Sequence, residues 1–226
     1  MGKENKNVRT FKSKDEGSNE IELMVVKPDN QTREKADLQY RIAFSQAVRK
    51  GMLTRAEALK IIKDNGYGGE EVDNRVRELR KELRKLEVKL YHSKDDMKKG
   101  RKIADEMSKV RTEIEQLNSQ QNELLNNTAE SHADDVRLHF YVGNCVVYPD
   151  SGDKYFGDQD EYNRRSSEKV AQDAYFQLIL FLNDVSPDFI QKRPENSWRI
   201  QKHIMDNDGF YLNDDGRKVD SEGRLI

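Results

Sequence analysis

Three polar residues in the second half of the chain have the spacing of a metal-binding helix face. His132, Asp135 and His139 are separated by three and four residues, so they would share one side of a helix. Imidazole and carboxylate groups are zinc ligands, but the neighbouring sequence offers no further histidine or cysteine at ligand spacing. We therefore interpret the set as a solvated polar face and predict no metal and no cofactor.

The single cysteine and the known catalytic motifs give no sign of an enzyme. Cys145 lies in an apolar run with Val142, Val146 and Val147, which predicts a buried, inert thiol. The sequence contains no Gly-x-Ser-x-Gly, His-Glu-x-x-His or Cys-x-x-Cys motif. We predict that the protein is not an enzyme and has no catalytic residues. A single cysteine forms no internal disulfide, which is typical of a reducing compartment.

Two glycine-containing segments imitate ligand-binding loops without completing them. Asp206-Asn207-Asp208-Gly209 resembles the middle of a calcium loop, but the first ligand position falls on Ile204 and the glutamate position on Asp215. The glycine-rich segment 66–69 lacks a preceding strand and the remaining spacing of a phosphate-binding loop. The first segment is therefore predicted to be a turn and the second a hinge.

The charge balance narrows the classes of partner. The 226 residues include 40 Lys and Arg against 42 Asp and Glu, a formal net charge of -2, so no overall field attracts nucleic acid or an anionic membrane. The mean hydropathy is -1.01, and no apolar stretch reaches the length of a membrane span. We expect protein partners, with a homo-oligomer among the alternatives, no membrane contact and no strong preference for nucleic acid.

The clearest pattern in the chain is a pair of heptad ladders on either side of a polar segment. Both ladders alternate spacings of four and three residues, which is typical of a coiled-coil seam. The segment 93–100 between them is polar and ends in glycine, so we predict an antiparallel coiled-coil hairpin over 70–125. The ladder residues are Val72, Val76, Leu79, Leu83, Leu86, Leu90, Ile103, Met107, Val110, Ile114, Leu117, Gln121 and Leu124.

The rest of the chain predicts a mainly α protein in which the hairpin stands on a small helical base. Residues 1–20 are polar and are predicted to be a disordered arm. Residues 21–69 are predicted to form a strand at 21–27 followed by a helix-turn-helix base. Its second helix begins with a capping box formed by Thr54 and Glu57.

Beyond the hairpin we predict a helical core over 126–205 and a β-like tail over 206–226. The central helix of that core, 168–183, is apolar almost all round and should begin at a Ser166 or Ser167 cap. We expect it to pack against 33–50 and 136–147. The tail is predicted to be β-like because two acidic-Gly-Arg turns, at 214–217 and 221–224, are flanked by apolar residues. Short β elements therefore lie near both termini.

The predicted helix pair over 33–66 supplies an alternative function. Arg55, Lys60 and Lys63 could contact phosphates, and the pair has helix-turn-helix proportions. The apolar residues 58, 59, 61 and 62 occupy much of the short second helix and leave few side chains for base edges. We favour simple helical packing and keep a nucleic-acid-associated regulatory protein as the alternative.

The candidate partner-binding residues lie on the first hairpin arm and in the tail. The arm begins with basic residues that could meet acidic ones on the second arm or on a partner. The tail carries more apolar residues than a free tail should expose to water. The candidates are Arg75, Arg77, Arg80, Phe210, Tyr211, Leu225 and Ile226.

The order of these segments resembles a family of poorly characterised structural and tail-assembly proteins from large tailed bacteriophages. The resemblance covers most of the chain beyond residue 20 and is carried by segments 22–28, 40–44, 50–53, 122–130 and 220–226, together with the predicted hairpin. It implies a non-enzymatic virion-structural or tail-assembly role in the host cytoplasm during assembly and in the virion. It implies no catalytic residues, and the expected partners are other virion or assembly proteins.

Overall fold

The structure is a computed structural model that describes residues 7–15, 17–65, 70–93, 96–220 and 224–226. The described chain is 60% helix, in eight helices, with a few short antiparallel strands, so the predicted mainly α class is confirmed. In chain order the elements are β1 (Val8–Lys14), β2 (Glu20–Val26), α1 (Asn30–Arg49), α2 (Arg55–Asp64), α3 (Glu70–His92), α4 (Met97–Asn126), α5 (Ala129–Cys145), β3 (Val146–Val147), α6 (Gln159–Arg164), α7 (Lys169–Leu182), α8 (Pro194–Gln201), β4 (Tyr211–Leu212) and β5 (Lys218–Val219).

The chain divides into two units. Unit 1 comprises Met1–Leu59 and Leu124–Pro187, and unit 2 comprises Lys60–Glu123 and Asp188–Ile226. The predicted helical core over 126–205 therefore differs from the structure, because residues 188–205 belong to unit 2. The physical reason is Trp198 on α8, which is buried in a cluster with apolar residues of α3 and α4.

Unit 1 contains a three-stranded antiparallel sheet in the order β1-β2-β3. Phe11 on β1 lies opposite Leu23 on β2, and both side chains are buried. This corrects the prediction that residues 1–20 are disordered, since Val8–Lys14 within that range is a paired strand. The strand was missed because its inward residues, Phe11 and Ser13, alternate with exposed lysines, so its mean hydropathy is low.

Local side-chain hydrogen bonds account for several helix starts. Asp29 caps α1 by accepting from the Thr32 backbone N–H at 2.7 Å. The predicted capping box is present, because the backbone N–H and hydroxyl of Thr54 both donate to Glu57 at 2.7 Å. Helix α4 ends at Asn126, and α5 begins directly after Thr128, which is its N-cap.

The N-cap of α7 differs from the prediction. Glu168 occupies this position, and its carboxylate accepts from the guanidinium of Arg165 at 2.8 Å. Ser166 instead donates its hydroxyl to the carbonyl oxygen of Asn163 at 3.0 Å. The serine therefore satisfies the end of α6 rather than the start of α7.

The core of unit 1 lies where α5 and α7 meet the sheet. Leu178 on α7 and Val142 on α5 are fully buried and join one cluster with strand residues. The predicted packing of 168–183 against 136–147 is thus confirmed. The predicted packing of α7 against 33–50 is replaced by contacts with β1 and β2, while α1 packs against α5. The buried alanines Ala36 and Ala133 belong to α1 and α5, and such small side chains allow helices to approach closely.

Unit 2 is built on a single apolar stripe shared by α3 and α4. The side chains of Val72, Ile114 and Leu117 are only partly covered, and those of Gln121 and Leu124 lie outside the described residues. The remaining ladder residues are all buried: Val76, Leu79, Leu83, Leu86, Leu90, Ile103, Met107 and Val110.

Candidate functional site

Three ion pairs fix α8 to α4 within unit 2. Glu195 pairs with Arg111, and its side chain is only 2% exposed. Arg199, with 3% side-chain exposure, pairs with Asp105 at 2.8 Å between Nη2 and Oδ1. Buried charges are tolerated only when paired, so these contacts select one position of α8 along α4. The third pair joins Arg193 and Glu115 at 3.2 Å, where both residues are more exposed.

Arg199 is the centre of this arrangement because it contacts three elements. Its Nη1 donates to the hydroxyl of Ser108 on α4 and to the side-chain oxygen of Asn196 on α8, each at 3.0 Å. Its guanidinium carbon lies 5.7 Å from the ring centroid of Tyr211 on β4, within the range of a cation–π contact. The same residue therefore fixes α4, α8 and the first C-terminal strand.

Gly100 lets the indole of Trp198 approach the first turns of α4. A β-carbon at Gly100 would lie 2.3 Å from Cζ2 of Trp198, closer than real atoms approach. Both residues are buried. Gly100 ends the polar segment 93–100 that was predicted to be the turn, but in the structure it lies inside α4. Its lack of a side chain allows Trp198 to pack closely against the helix.

The C-terminal part of unit 2 is a seven-residue repeat, here called the heptapeptide meander and defined as residues 204–220 and 224–226. Bridges join Met205 to Tyr211, Tyr211 to Val219, and Val219 to Leu225. Each successive strand pairs with the one before it, as in a β-meander. The residues that recur every seven positions are Met205, Leu212, Val219 and Ile226, with Asp206, Asn213 and Asp220 starting the turns.

The turns of the meander share one hydrogen-bond pattern. The Oδ1 of Asp206 accepts from the backbone N–H of Asp208 and of Phe210, at 3.0 and 2.8 Å. The equivalent atom of Asn213 accepts from the residues two and four positions on, at 3.1 and 2.9 Å. Gly209 and Gly216 take positive φ values of 91° and 73°, which favour glycine.

Sequence reasoning identified only part of this repeat. The segment 206–209 is a turn, as predicted. Its resemblance to a calcium loop does not connect it with the two later acidic-Gly-Arg turns. The seven-residue spacing of glycines at 209, 216 and 223 is the signal that connects all three. In the structure a lysine lies beside the first turn, since Nζ of Lys218 is 3.0 Å from Oδ2 of Asp206.

A cleft of about 350 Å³ lies between α4, α8 and the meander. Its polar lining consists of Arg101, Asp105, Arg199 and Asp220. Its apolar and aromatic lining consists of Ile204, Tyr211, Leu212 and Val219. The cleft can therefore hold a group that combines charge with aliphatic surface.

The predicted partner-binding residues of the first arm lie on the exposed side of α3. Arg75 forms an ion pair with Glu113 on α4, with 2.6 Å between Nη2 and Oε1. Arg77 and Arg80 are exposed. The structure thus gives Arg75 a contact within the chain and leaves the other two on the surface.

The predicted tail residues differ in exposure. Leu225 and Ile226 are 60% and 68% exposed. Phe210 is 42% exposed, and Nζ of Lys218 lies 4.2 Å from its ring centroid. Tyr211 is partly buried and lines the cleft. The tail therefore combines one cleft residue with apolar side chains that face solvent.

The candidate metal residues do not converge. His132 and Asp135 are exposed, whereas His139 is half-buried with its ring centroid 5.2 Å from that of Tyr162 and 5.9 Å from that of Tyr175. Burial lowers the pKa of His139 below its usual 6.5, and the charge of Asp135 opposes this shift. No cluster of metal-ligating side chains occurs among the described residues.

Cys145 has the environment that its sequence context predicted. It is buried in the core of unit 1 with 2% exposure. Burial raises the pKa of its thiol to about 12, so the reactive thiolate is not populated at neutral pH.

The helices over 33–66 are partly covered. α1 packs against α5, whereas Arg55, Lys60 and Lys63 on α2 are exposed. The backbone N–H of Arg55 donates to Glu130 at 2.8 Å, which connects the start of α2 to the first turn of α5. The predicted hinge at 66–69 lies outside the described residues.

No protein-family model, curated protein or solved structure matches this chain. Within the described part of the chain, no helix has the length and apolar content needed to span a membrane.

Proposed function

We propose that this chain is a non-enzymatic structural or assembly protein that acts through protein–protein contacts. The observation that carries this proposal is a set of exposed apolar side chains in unit 2. Val88, Tyr91 and Met97, around the junction of α3 and α4, are 58%, 64% and 46% exposed. Leu225 and Ile226 add a second exposed apolar pair. Apolar side chains exposed close together on a surface are typical of interaction sites.

The sequence resemblance supplies the proposed setting, a tailed-phage particle in which virion or assembly proteins are the partners. Mass spectrometry of purified particles beside infected-cell lysate tests it. We expect the protein at a defined copy number in particles or in an assembly intermediate. A protein present in lysate but absent from both would contradict the assembly role.

A variant pair makes the test residue-specific. Replacing Val88, Tyr91 and Met97 with serine should reduce incorporation, because the apolar contact is lost while the buried stripe is untouched. The matched control replaces Leu38 and Ile42 on α1, which are 50% and 42% exposed, with serine. Equal incorporation of both variants would exclude the α3–α4 junction as the contact surface.

We further propose that α3 and α4 form an antiparallel coiled-coil hairpin. The shared buried stripe supports this, and so does the Arg75–Glu113 ion pair. If Arg75 and Glu113 face each other in an antiparallel pair, Leu79 lies opposite Val110. One face of each helix would then bury the seam and the other would remain available to partners.

Cysteine cross-linking tests the hairpin. Leu79→Cys with Val110→Cys should give an intramolecular disulfide, whereas Leu79→Cys with Ile103→Cys should not, because the second pair is out of register. Native Cys145 can remain, since it is buried and its thiol pKa is raised to about 12. Cross-links formed mainly between chains at low protein concentration would exclude the hairpin.

A nucleic-acid-associated regulatory role through the helices over 33–66 stays the alternative. The exposed cations Arg55, Lys60 and Lys63 on α2 favour it. Phosphate contacts release counterions. If α2 binds DNA, the logarithm of the binding constant should fall linearly with the logarithm of the salt concentration. Gel-shift titration at several salt concentrations, with these residues replaced by glutamine, distinguishes the two functions.

A further inference from the structure

The first turns of α4 carry a basic face beside the cleft. Lys98, Arg101 and Lys102 are all exposed. With Asp105 they share one side of the helix, since they are separated by three, four and seven residues. None of these three cations forms an ion pair with a described residue, whereas Asp105 is paired with Arg199. Asp105 is thus the acidic residue of this face, and its ion pair in the described chain is with Arg199 and not with these cations.

Helix electrostatics do not account for these cations. The N-terminus of a helix carries partial positive charge, so Lys98 in the first turn of α4 is destabilising, and the dipole does not favour Arg101 and Lys102 one turn further on. The first turn of α4 contains no acidic residue. Asp96, which precedes the helix, accepts from the backbone N–H of Lys99 at 2.9 Å. The three exposed cations are therefore accessible to another molecule.

The cleft beside the basic face adds aliphatic side chains to the candidate binding surface. Arg101 belongs both to the basic face and to the cleft lining. The other lining guanidinium, that of Arg199, is engaged by Asp105, Ser108 and Asn196. The part of the lining that follows α8 includes the aliphatic side chains of Ile204, Leu212 and Val219, together with Tyr211 and Asp220. An occupant must therefore supply anionic groups at the rim and apolar groups inside.

We propose that the basic face and the cleft together bind an extended acidic peptide segment with aliphatic side chains, supplied by a partner protein. Its carboxylates lie against Lys98, Arg101 and Lys102, and its aliphatic side chains lie against the meander wall. Nucleic acid fits less well, because it offers no aliphatic side chains to Ile204, Leu212 and Val219 in the cleft lining. That the occupant belongs to a partner protein rests on the proposed assembly function.

Fluorescence anisotropy of the full chain with a short labelled peptide of alternating Glu and Leu tests the site. Lys98→Gln, Arg101→Gln and Lys102→Gln combined should weaken binding about tenfold, as expected for the loss of three partly exposed charge contacts. The matched control combines Lys81→Gln, Arg84→Gln and Lys85→Gln, which removes equal charge from exposed positions of α3. The control should bind like the wild-type chain.

Companion probes separate the components of recognition. A peptide of alternating Glu and Ser should bind more weakly than the Glu-Leu peptide, because it lacks the aliphatic side chains. Duplex DNA should bind more weakly than either peptide. The Lys98, Arg101 and Lys102 variant should keep or raise the melting temperature, since it removes cations from the positive end of the helix.

Several results would overturn the site. These are the absence of Glu-Leu binding by the wild-type chain, equal weakening in both triple variants, or a lowered melting temperature in the α4 variant. Preferential DNA binding that the α4 variant abolishes would reassign the face to nucleic acid. Absence of the protein from particles would remove the assembly role but leave peptide binding intact, so the two failures are distinguishable.

Discussion

Unit 1 and unit 2 are stabilised by different kinds of buried contact. Unit 1 encloses an apolar core between a sheet and helices, in which Phe156 and Leu178 are fully buried. Unit 2 has one apolar stripe along α3 and α4, and it adds the buried charges of Glu195 and Arg199 at α8.

This difference shows how a unit with few buried apolar residues holds its elements in one arrangement. Hydrophobic residues make up 35% of the chain, and the buried apolar cluster of unit 2 is smaller than that of unit 1. Apolar contact is non-directional and stabilises, whereas a buried ion pair is directional and mainly selects one arrangement. Unit 2 therefore depends on specific charge geometry to position α8, and unit 1 depends on burial.

The largest effect is expected in the core of unit 1. Leu178→Asp would bury a carboxylate in an apolar cluster and should cost several kcal/mol, a large part of a typical stability of about 5–15 kcal/mol. We expect an aggregated or molten protein in circular dichroism and thermal melting.

Phe176 on the same helix is the matched control because it is 48% exposed. Phe176→Asp should fold with a cooperative melt. If Leu178→Asp melts like the wild-type chain, the apolar core does not account for the stability of unit 1.

The second prediction concerns charge in unit 2. Glu195→Ala removes the buried partner of Arg111, which keeps Glu87 at 3.7 Å, and should destabilise unit 2 by about 2 kcal/mol, whereas Glu113→Ala removes an exposed partner and should cost less than about 1 kcal/mol. Urea unfolding of both variants measures the difference. Equal costs would show that the pairs at α8 contribute no more than surface pairs do.

The third prediction concerns Gly100. Gly→Ala inside a helix normally stabilises, but here the new methyl would overlap Trp198, so we expect destabilisation of about 1–3 kcal/mol. Trp198→Leu in the same chain should relieve the overlap. The two substitutions should therefore be non-additive in a double-mutant cycle. Additive costs would mean that the indole is not what Gly100 accommodates.

The smallest effect is a pH dependence in unit 1. Burial lowers the folded-state pKa of His139 below 6.5, so the unfolded chain binds the proton more readily. The stability contribution is present above pH 6.5 and is lost as the pH falls below that value. His139→Phe keeps the ring contacts and should reduce the loss of stability between neutral and mildly acidic pH.

His132 is exposed and provides the comparison for this measurement. His132→Asn should leave the pH profile of unfolding unchanged. A profile that responds equally to both substitutions would assign the pH dependence to other groups.

Much of the local structure was predictable from residue spacing. The ladder residues from Val76 to Val110 are buried, as their spacing predicted, and the capping box at Thr54 is formed. The β character of the tail also follows from its turn signals. The strand Val8–Lys14 was missed because its alternation is hidden by lysines.

The sequence by itself determined which faces of the helices are apolar and where many of the helices begin, because periodicity and capping act over a few residues. Only the tertiary structure decided which element covers each face. The position of α8 depends on pairs such as Arg199 with Asp105, which are 94 residues apart in the chain. The cleft exists only where α4, α8 and the meander meet. Such contacts depend on long-range packing, so no local pattern encodes them.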